Sequence, residues 1–436
     1  MKHLLLLIVV SFSLEIRSVL FAQEASPAPA PAPVPSLAPD TDPATATRAW
    51  LDTVPADKRA KSDSYFEGGY WLILWNFLLI SAISILLLST GLSARIRQFA
   101  ERTTRFKAMQ VALYGIPYLL LTAVIQFPLL VYERFFREHA YGLATQSFGA
   151  WFREQLIGLA VELFAFTILL VALYAVFRRA PKTWWLWGTA VVVVLLAIAI
   201  MLGPVYIAPL FNKYKPLENP AISESILAMA RANQIPVKQV FEVDASRQSN
   251  RVSANVAGFL GTTRIALNDN LLKQCTLPEI RYVMAHEMGH YVLNHISKFL
   301  VNFALLVLLS FALAKGAFEI AVRRWGERWN VRDIADPAGL PLLMLIFAAI
   351  SFFLTPIENT ITRVAEVEAD AFGINTSREP DGFAQVALKL GTYRKLDPSP
   401  IEEFIFFDHP SGRARIRMAM EWKAANLPAG ATASVR

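Results

Sequence analysis

A single cysteine, Cys275, stands in 436 residues, so no disulfide can close within the chain and no cysteine-rich metal site can be built. Its place just before a helix start reads as a small packing residue. Charge is scarce too: 18% of residues are Asp, Glu, Lys or Arg, against 55% hydrophobic and 12% aromatic. With a mean hydropathy of +0.40, the chain is too apolar for an ordinary soluble domain. Neither a phosphate-binding glycine loop nor a Ser-His-Asp arrangement competes for the chemistry. No basic stripe interleaved with aromatics accompanies the net charge of +7, so nucleic acid is not an expected partner. Histidine is rare as well, with six copies.

The apolar residues gather in runs of ~20, long enough to cross a ~30 Å hydrocarbon core as helices. They lie near Trp71 to Gly91, Met109 to Tyr132, Gln155 to Phe177, Trp184 to Leu202, Phe299 to Phe318 and Gly339 to Pro356. Six spans are expected, with the lipid bilayer as partner, and Trp184, Trp185 and Trp187 supply an interfacial belt. Glu162, inside the third run, should face the bundle interior or a wet cavity, because a charge facing lipid is costly. Arginines and lysines crowd the stretches after the first, third and fifth runs: Arg95 to Lys107, Arg178 to Lys182 and Arg323 to Arg332. The positive-inside rule makes these cytoplasmic and puts 141–148, 210–298 and the region after Pro356 together on the opposite face. The expected location is a bacterial inner membrane, with the chemistry on the periplasmic side.

Residues 1–23 read as a signal peptide or a retained anchor: Met1-Lys-His precedes an apolar run and Phe21-Ala-Gln23. Residues 24–60 are rich in proline and alanine and read as a linker without a fold of its own. Residues 428–436 read as a frayed tail.

His286, Glu287 and His290 form an H-E-x-x-H motif. On a helix the two histidines, at i and i+4, share a face and can hold one Zn2+ while Glu287 serves as base toward a water. Thr276-Leu-Pro-Glu279 reads as a capping box with proline in the first turn, so the motif sits inside a helix starting near 277. A hydrolytic zinc site needs a third protein ligand. Arg363 to Phe372 offers Glu366 and Asp370 one turn apart, with Asp370 placed to accept from a ligand imidazole. Glu368 is a rival ligand that spacing cannot dismiss. His295, about 140° round the helix from His290, reads as structural or supporting; His139 and His3 do not read as ligands.

His-Glu-Met-Gly-His at 286–290 with Glu366-x-x-Ala-Asp370 resembles the type I CAAX prenyl endopeptidase family, multi-spanning membrane zinc proteases of the gluzincin kind. Tyr141 to Phe148, Pro209 to Tyr214, and His409-Pro410 with Arg415 are similar to that family too, so the likeness extends over roughly residues 70–420. The resemblance implies His286, His290 and Glu366 as ligands of one Zn2+ per chain and Glu287 as general base. It further implies His409 and Arg415 near the substrate carbonyl and Asn255 along the substrate groove. The implied substrates are CAAX-type prenyl peptides; the leader and linker favour membrane-associated peptides and proteins more broadly.

The fold expected is mainly α: a multi-pass transmembrane helix bundle with a mostly helical zincin-like catalytic domain carrying a small β element. Residues 61–209 would form a four-span membrane domain. Residues 210–427 would form a zinc metallopeptidase domain interrupted by spans at about 299–318 and 339–356. Gln239 to Asp244 and Thr263 to Asn268 read as strands that could hold an extended peptide. A non-catalytic membrane scaffold retaining the zinc site is the alternative, although a scaffold has no use for Glu287. Oligomeric state is not legible.

Overall fold

The computed structural model describes residues 34–35, 41–257 and 263–427; the leader expected at 1–23 and the tail at 428–436 lie outside them. In chain order, helices α1 (Pro43–Asp52), α2 (Ala56–Ser89) and α3 (Leu92–Thr103) lead to α4 (Lys107–Ala140), α5 (Phe148–Arg179) and α6 (Trp184–Leu202). Strand β1 (Tyr214–Pro216), helix α7 (Pro220–Ala232), strands β2 (Val240–Val243), β3 (Ala254–Ala257) and β4 (Arg264–Asn268), and helix α8 (Asp269–Gln274) follow. Then come α9 (Leu277–Val292), α10 (His295–Trp329), α11 (Leu340–Ser377), α12 (Pro380–Leu390), α13 (Pro400–Phe406) and α14 (Gly412–Asn426).

Six of these helices, α2, α4, α5, α6, α10 and α11, are long and apolar enough to cross a membrane. They pack around one apolar core containing Leu87, Tyr114, Tyr174, Trp184, Phe311 and Phe347. A second core, built from Ile226, Leu267, Met284, Phe383 and Ile416, organises the other domain. The fold is a multi-pass bundle joined to a mostly helical domain with a small sheet, as expected.

The linker expectation fails for its second half, from residue 43 on. Asp42 caps α1, its Oδ2 accepting from Ala44 N at 2.9 Å and Thr45 N at 3.1 Å, with Pro43 in the first turn. Ala46, Trp50 and Leu51 then recur on one face and enter the second core, where Trp50 is fully buried. Averaging composition over 24–60 concealed this short amphipathic helix.

The first and third basic turns share one end of the bundle. Arg97 of α3 donates to Asp336 Oδ2 at 2.6 Å and to Asn330 O at 2.9 Å, both before α11. At the other end, 141–147 docks on the second domain: Thr145 N donates to Gln248 O at 3.1 Å and Asn250 N to Leu143 O at 3.0 Å.

The sheet order is β1-β2-β4-β3, with β2 and β4 parallel and both edge strands antiparallel to their neighbours. Two of the four strands match the sequence expectation; β1 and β3, at three and four residues, carry too little pattern to be read. Strand β3 forms the edge nearest α9.

Helix α11 differs most from expectation. The sixth span and the Glu366 helix are one 38-residue helix running through Pro356. Proline removes one backbone hydrogen bond, yet the helix continues, packed on α2 and α9. The bundle and the site are thereby mechanically continuous.

Candidate metal centre

Helix α9 begins with the expected capping box: Thr276 N donates to Glu279 Oε2 at 2.5 Å, and the buried Glu279 also pairs with Lys389 Nζ at 2.7 Å. This fixes where the helix starts, and so which residues face α11. The two helices approach closely at a glycine on each. A Cβ on Gly373 would meet His286 Cα and N at 3.1 Å, and one on Gly289 would meet Ala369 Cα at 3.3 Å. Glycine at the crossing lets the α9 motif reach a carboxylate on α11.

There, His286 Nε2 and His290 Nε2 lie 3.2 Å apart. The Glu366 carboxylate faces both rings through different oxygens, Oε2 lying 3.3 Å from His286 Nε2 and Oε1 3.4 Å from His290 Nε2. Four-coordinate zinc with ligand bonds of ~2.0–2.1 Å sets its ligand atoms about 3.3 Å apart; the two imidazole nitrogens match that spacing, and one ligand atom from each of the three residues lies within 4.8 Å of the other two. Glu366 Oε2 is buried and accepts no hydrogen bond, a carboxylate oxygen without a donor that a cation would satisfy. The donor set, two imidazoles and a carboxylate, is zinc chemistry. Glu368, the rival, points away: its Oε2 takes Lys298 Nζ at 2.6 Å and His295 Nε2 at 3.0 Å.

Asp370, fully buried, supports His286 from the far side of the ring, Oδ1 lying 2.8 Å from Nδ1. It also accepts from Tyr282 Oη at 2.8 Å and from Arg415 Nε and Nη2 at 2.7 and 2.6 Å. Arg415 thus spends two of its donors on Asp370, and its Nη2 stands 3.9 Å from Glu366 Oε2. Tyr282 was not legible as a site residue, although it precedes His286 by four positions and therefore shares its face. Its ring stacks on Phe383 with centroids 4.0 Å apart, which holds the hydroxyl in place.

The electrostatics are those of a pocket wanting a cation. Burial opposes a charge on His286, but the neighbouring carboxylates of Asp370 and Glu366 outweigh it and hold its pKa up at about 10. Burial pushes the Glu287 carboxyl up to about 8, with His286 and Arg415 pulling the other way and Glu366 adding to the rise. Burial likewise lowers His290 to about 3.

His409, just before α14, brings Nε2 within 3.3 Å of Glu366 Oε2, its Nδ1 held 2.9 Å from Asp408 Oδ1. Asn255 lies on β3 opposite Ala266, half-buried, its Oδ1 without a hydrogen-bond partner. Four of the six histidines, 286, 290, 295 and 409, converge here; His139, in the last turn of α4, instead contacts Phe135 O of that helix and Gln146 O of the loop that follows.

A two-histidine, one-glutamate centre at the end of a six-span bundle defines a multi-pass membrane metalloendopeptidase. Comparison with known proteins agrees. Residues 216–423 match the model of peptidase family M48, and residues 44–213 match the model described as CAAX prenyl protease N-terminal, five membrane helices. Four of the six candidate spans fall in that second range. The chain belongs to peptidase family M48. It is 30% identical over 337 residues to the uncharacterized metalloprotease YhfN of Bacillus subtilis, covering 76% of this chain and 78% of the relative. It is 26% identical over 314 residues to CAAX prenyl protease 1 of Saccharomyces cerevisiae, covering 68% and 69%. The fold is similar to the crystal structure of S. mikatae Ste24p, with a TM-score of 0.63 at 20% identity, over 95% of this chain and 98% of that one.

Proposed function

We propose that this membrane metalloprotease holds one zinc ion through His286, His290 and Glu366 and hydrolyses peptide bonds with Glu287 as general base. The observation that carries the reading is a pair of imidazole nitrogens 3.2 Å apart with the Glu366 carboxylate across from both, its Oε2 3.3 Å from His286 Nε2 and its Oε1 3.4 Å from His290 Nε2, and that Oε2 buried without a hydrogen-bond donor. Zinc bound there supplies a polarised carbonyl and an acidified water. Glu287 takes the proton of the attacking water and delivers it to the leaving amine nitrogen. His409, its Nδ1–H held by the Asp408 carboxylate, donates from Nε2 in its doubly protonated form to the carbonyl oxygen as charge builds on it, typically worth ~3–4 kcal/mol for one well-placed donor. Arg415 acts chiefly through Asp370, holding the carboxylate that orients His286.

The edge strand β3, carrying Asn255, is where an extended peptide adds to the sheet, its amide laid across α9. Substrates are extended segments of membrane-associated proteins, with CAAX-type prenyl peptides as the class that the relatives' names carry. The site faces the periplasm of a bacterial inner membrane, opposite the basic turns. The base Glu287, half-buried between the two ligand histidines in sequence, favours an enzyme over a scaffold.

Elemental analysis of the purified chain tests the ligand set. Wild type and Glu368→Ala should each carry one zinc per chain, and Glu366→Ala none. Zinc retained by Glu366→Ala and lost from Glu368→Ala would move the third ligand.

A further inference from the structure

His295 is 1% exposed, touches the site, and has no part in the chemistry above. Its Nδ1 lies 2.9 Å from His290 Nδ1, and its Nε2 lies 3.0 Å from Glu368 Oε2, which accepts from Lys298 Nζ at 2.6 Å. Two facing ring nitrogens cannot both carry protons, nor both offer lone pairs, without losing the contact. A neutral His290 that gives Nε2 to a metal carries its proton on Nδ1. His295 Nδ1 must then be the acceptor, so the one proton of neutral His295 sits on Nε2, where the Glu368 carboxylate receives it. Each atom in the series has one role.

We propose that His295, anchored by Glu368 and Lys298, is a positioning residue that sets the tautomer and ring plane of His290; this rests on His290 being a metal ligand. Ligand histidines usually donate to a carboxylate, a backbone carbonyl or water. Here an imidazole is interposed because the available carboxylate is at the surface. The side chains of Glu368 and Lys298 are 43% and 50% exposed, whereas His290's is 22%. The relay lets a solvated ion pair orient a ligand without burying another charge. The backbone is shaped for this contact. Asn294, between α9 and α10, takes φ 56° and ψ 38°, a left-handed conformation asparagine tolerates. Were the helix continuous, His295 would point about 140° away from His290; the break turns it back. The two ligand histidines are thus oriented from opposite sides, His286 by the buried Asp370 and Arg415, His290 by a series ending in solvent.

Metal affinity of the full-length protein in detergent, measured with cobalt against a chromogenic chelator together with the cobalt d–d spectrum, tests this. His295→Asn puts an amide oxygen where Nδ1 stood and should stay within about threefold of wild type. His295→Gln reaches toward Glu368 and His295→Ala reaches neither, so both should bind about 10–100-fold more weakly, with altered spectra. Glu368→Gln should also bind more weakly while still filling one site at saturating metal. If His295→Ala does not fold, the contrast between Asn and Gln carries the result. Wild-type affinity in His295→Ala and His295→Gln, or an Asn variant no better than Gln, would overturn the proposal. A His290→Ala control separates the two levels: retained metal there sinks the ligand assignment itself, whereas metal lost there but kept by every His295 variant sinks only the relay.

Discussion

Asp370 and Arg415 offer the sharpest energetic test, because the pair is almost completely buried, at 0% and 4% side-chain exposure. Arg415 gives Asp370 two charge-assisted hydrogen bonds at 2.7 and 2.6 Å, and Tyr282 adds a third at 2.8 Å. Removing one partner of such a pair strands the other charge and costs about 3–5 kcal/mol, whereas replacing both with apolar groups of similar volume is often neutral or stabilising. Asp370→Leu and Arg415→Met should therefore each destabilise by about 3–5 kcal/mol. The double variant should come within about 1–2 kcal/mol of wild type, the residue being chiefly the stranded Tyr282 hydroxyl. Unfolding in mixed micelles of rising denaturing-detergent fraction, followed by tryptophan fluorescence, reads the cycle. Metal affinity separates folding from function: it should stay impaired in the double variant, since His286 has lost the carboxylate 2.8 Å from its Nδ1. Single variants within about 1 kcal/mol of wild type, or a double variant as costly as the sum, would refute the reasoning.

Other predictions concern packing, the lone thiol and orientation. Gly373→Ala puts a methyl against the His286 backbone at 3.1 Å; it should cost about 1–3 kcal/mol and weaken metal binding by calorimetric titration, while Gly149→Ala, with open space at its Cβ, should do neither. Burial, partly countered by Lys389, pushes the Cys275 thiol up to about 12, so maleimide labelling at pH 8 should be far slower in the folded than the unfolded chain. The sign follows: above the ordinary thiol pKa of ~8.5 the unfolded state has lost a proton that the folded state keeps, so this group lowers stability as pH rises from there toward 12. Equal labelling of both states would contradict this. A phosphatase reporter fused after residue 427 should be active outside the cytoplasm; a cytoplasmic signal would reverse the orientation.

What could be read from the sequence was local or periodic. The capping box at Thr276 and Glu279, the i and i+4 histidines and six apolar runs each depend on neighbours within a few turns, and each appears in the fold. The choice between Glu366 and Glu368 was not local: two residues apart on one helix, they are told apart only by where α9 crosses α11, at Gly289 and Gly373. His295 read as structural or supporting, but its contact with His290 was hidden by one left-handed residue, Asn294, which invalidates any rotation counted along a continuous helix. Arg415 carried the opposite limitation. Its likeness to a family motif suggested a substrate contact, while its partner, Asp370, lies 45 positions away and no spacing reveals the pair. Trp50 was lost to averaging, since one turn of amphipathic pattern cannot outweigh a proline-rich flank.

The central claim is hydrolysis by Glu287 beside a metal held by His286, His290 and Glu366. Mass-spectrometric detection of cleavage products from a pool of plain and prenylated peptides, with wild type and Glu287→Gln loaded to equal zinc content, tests it most directly. The account predicts products from wild type alone, since the variant keeps every ligand and loses only the base. Cleavage by zinc-loaded Glu287→Gln at the wild-type rate would contradict it.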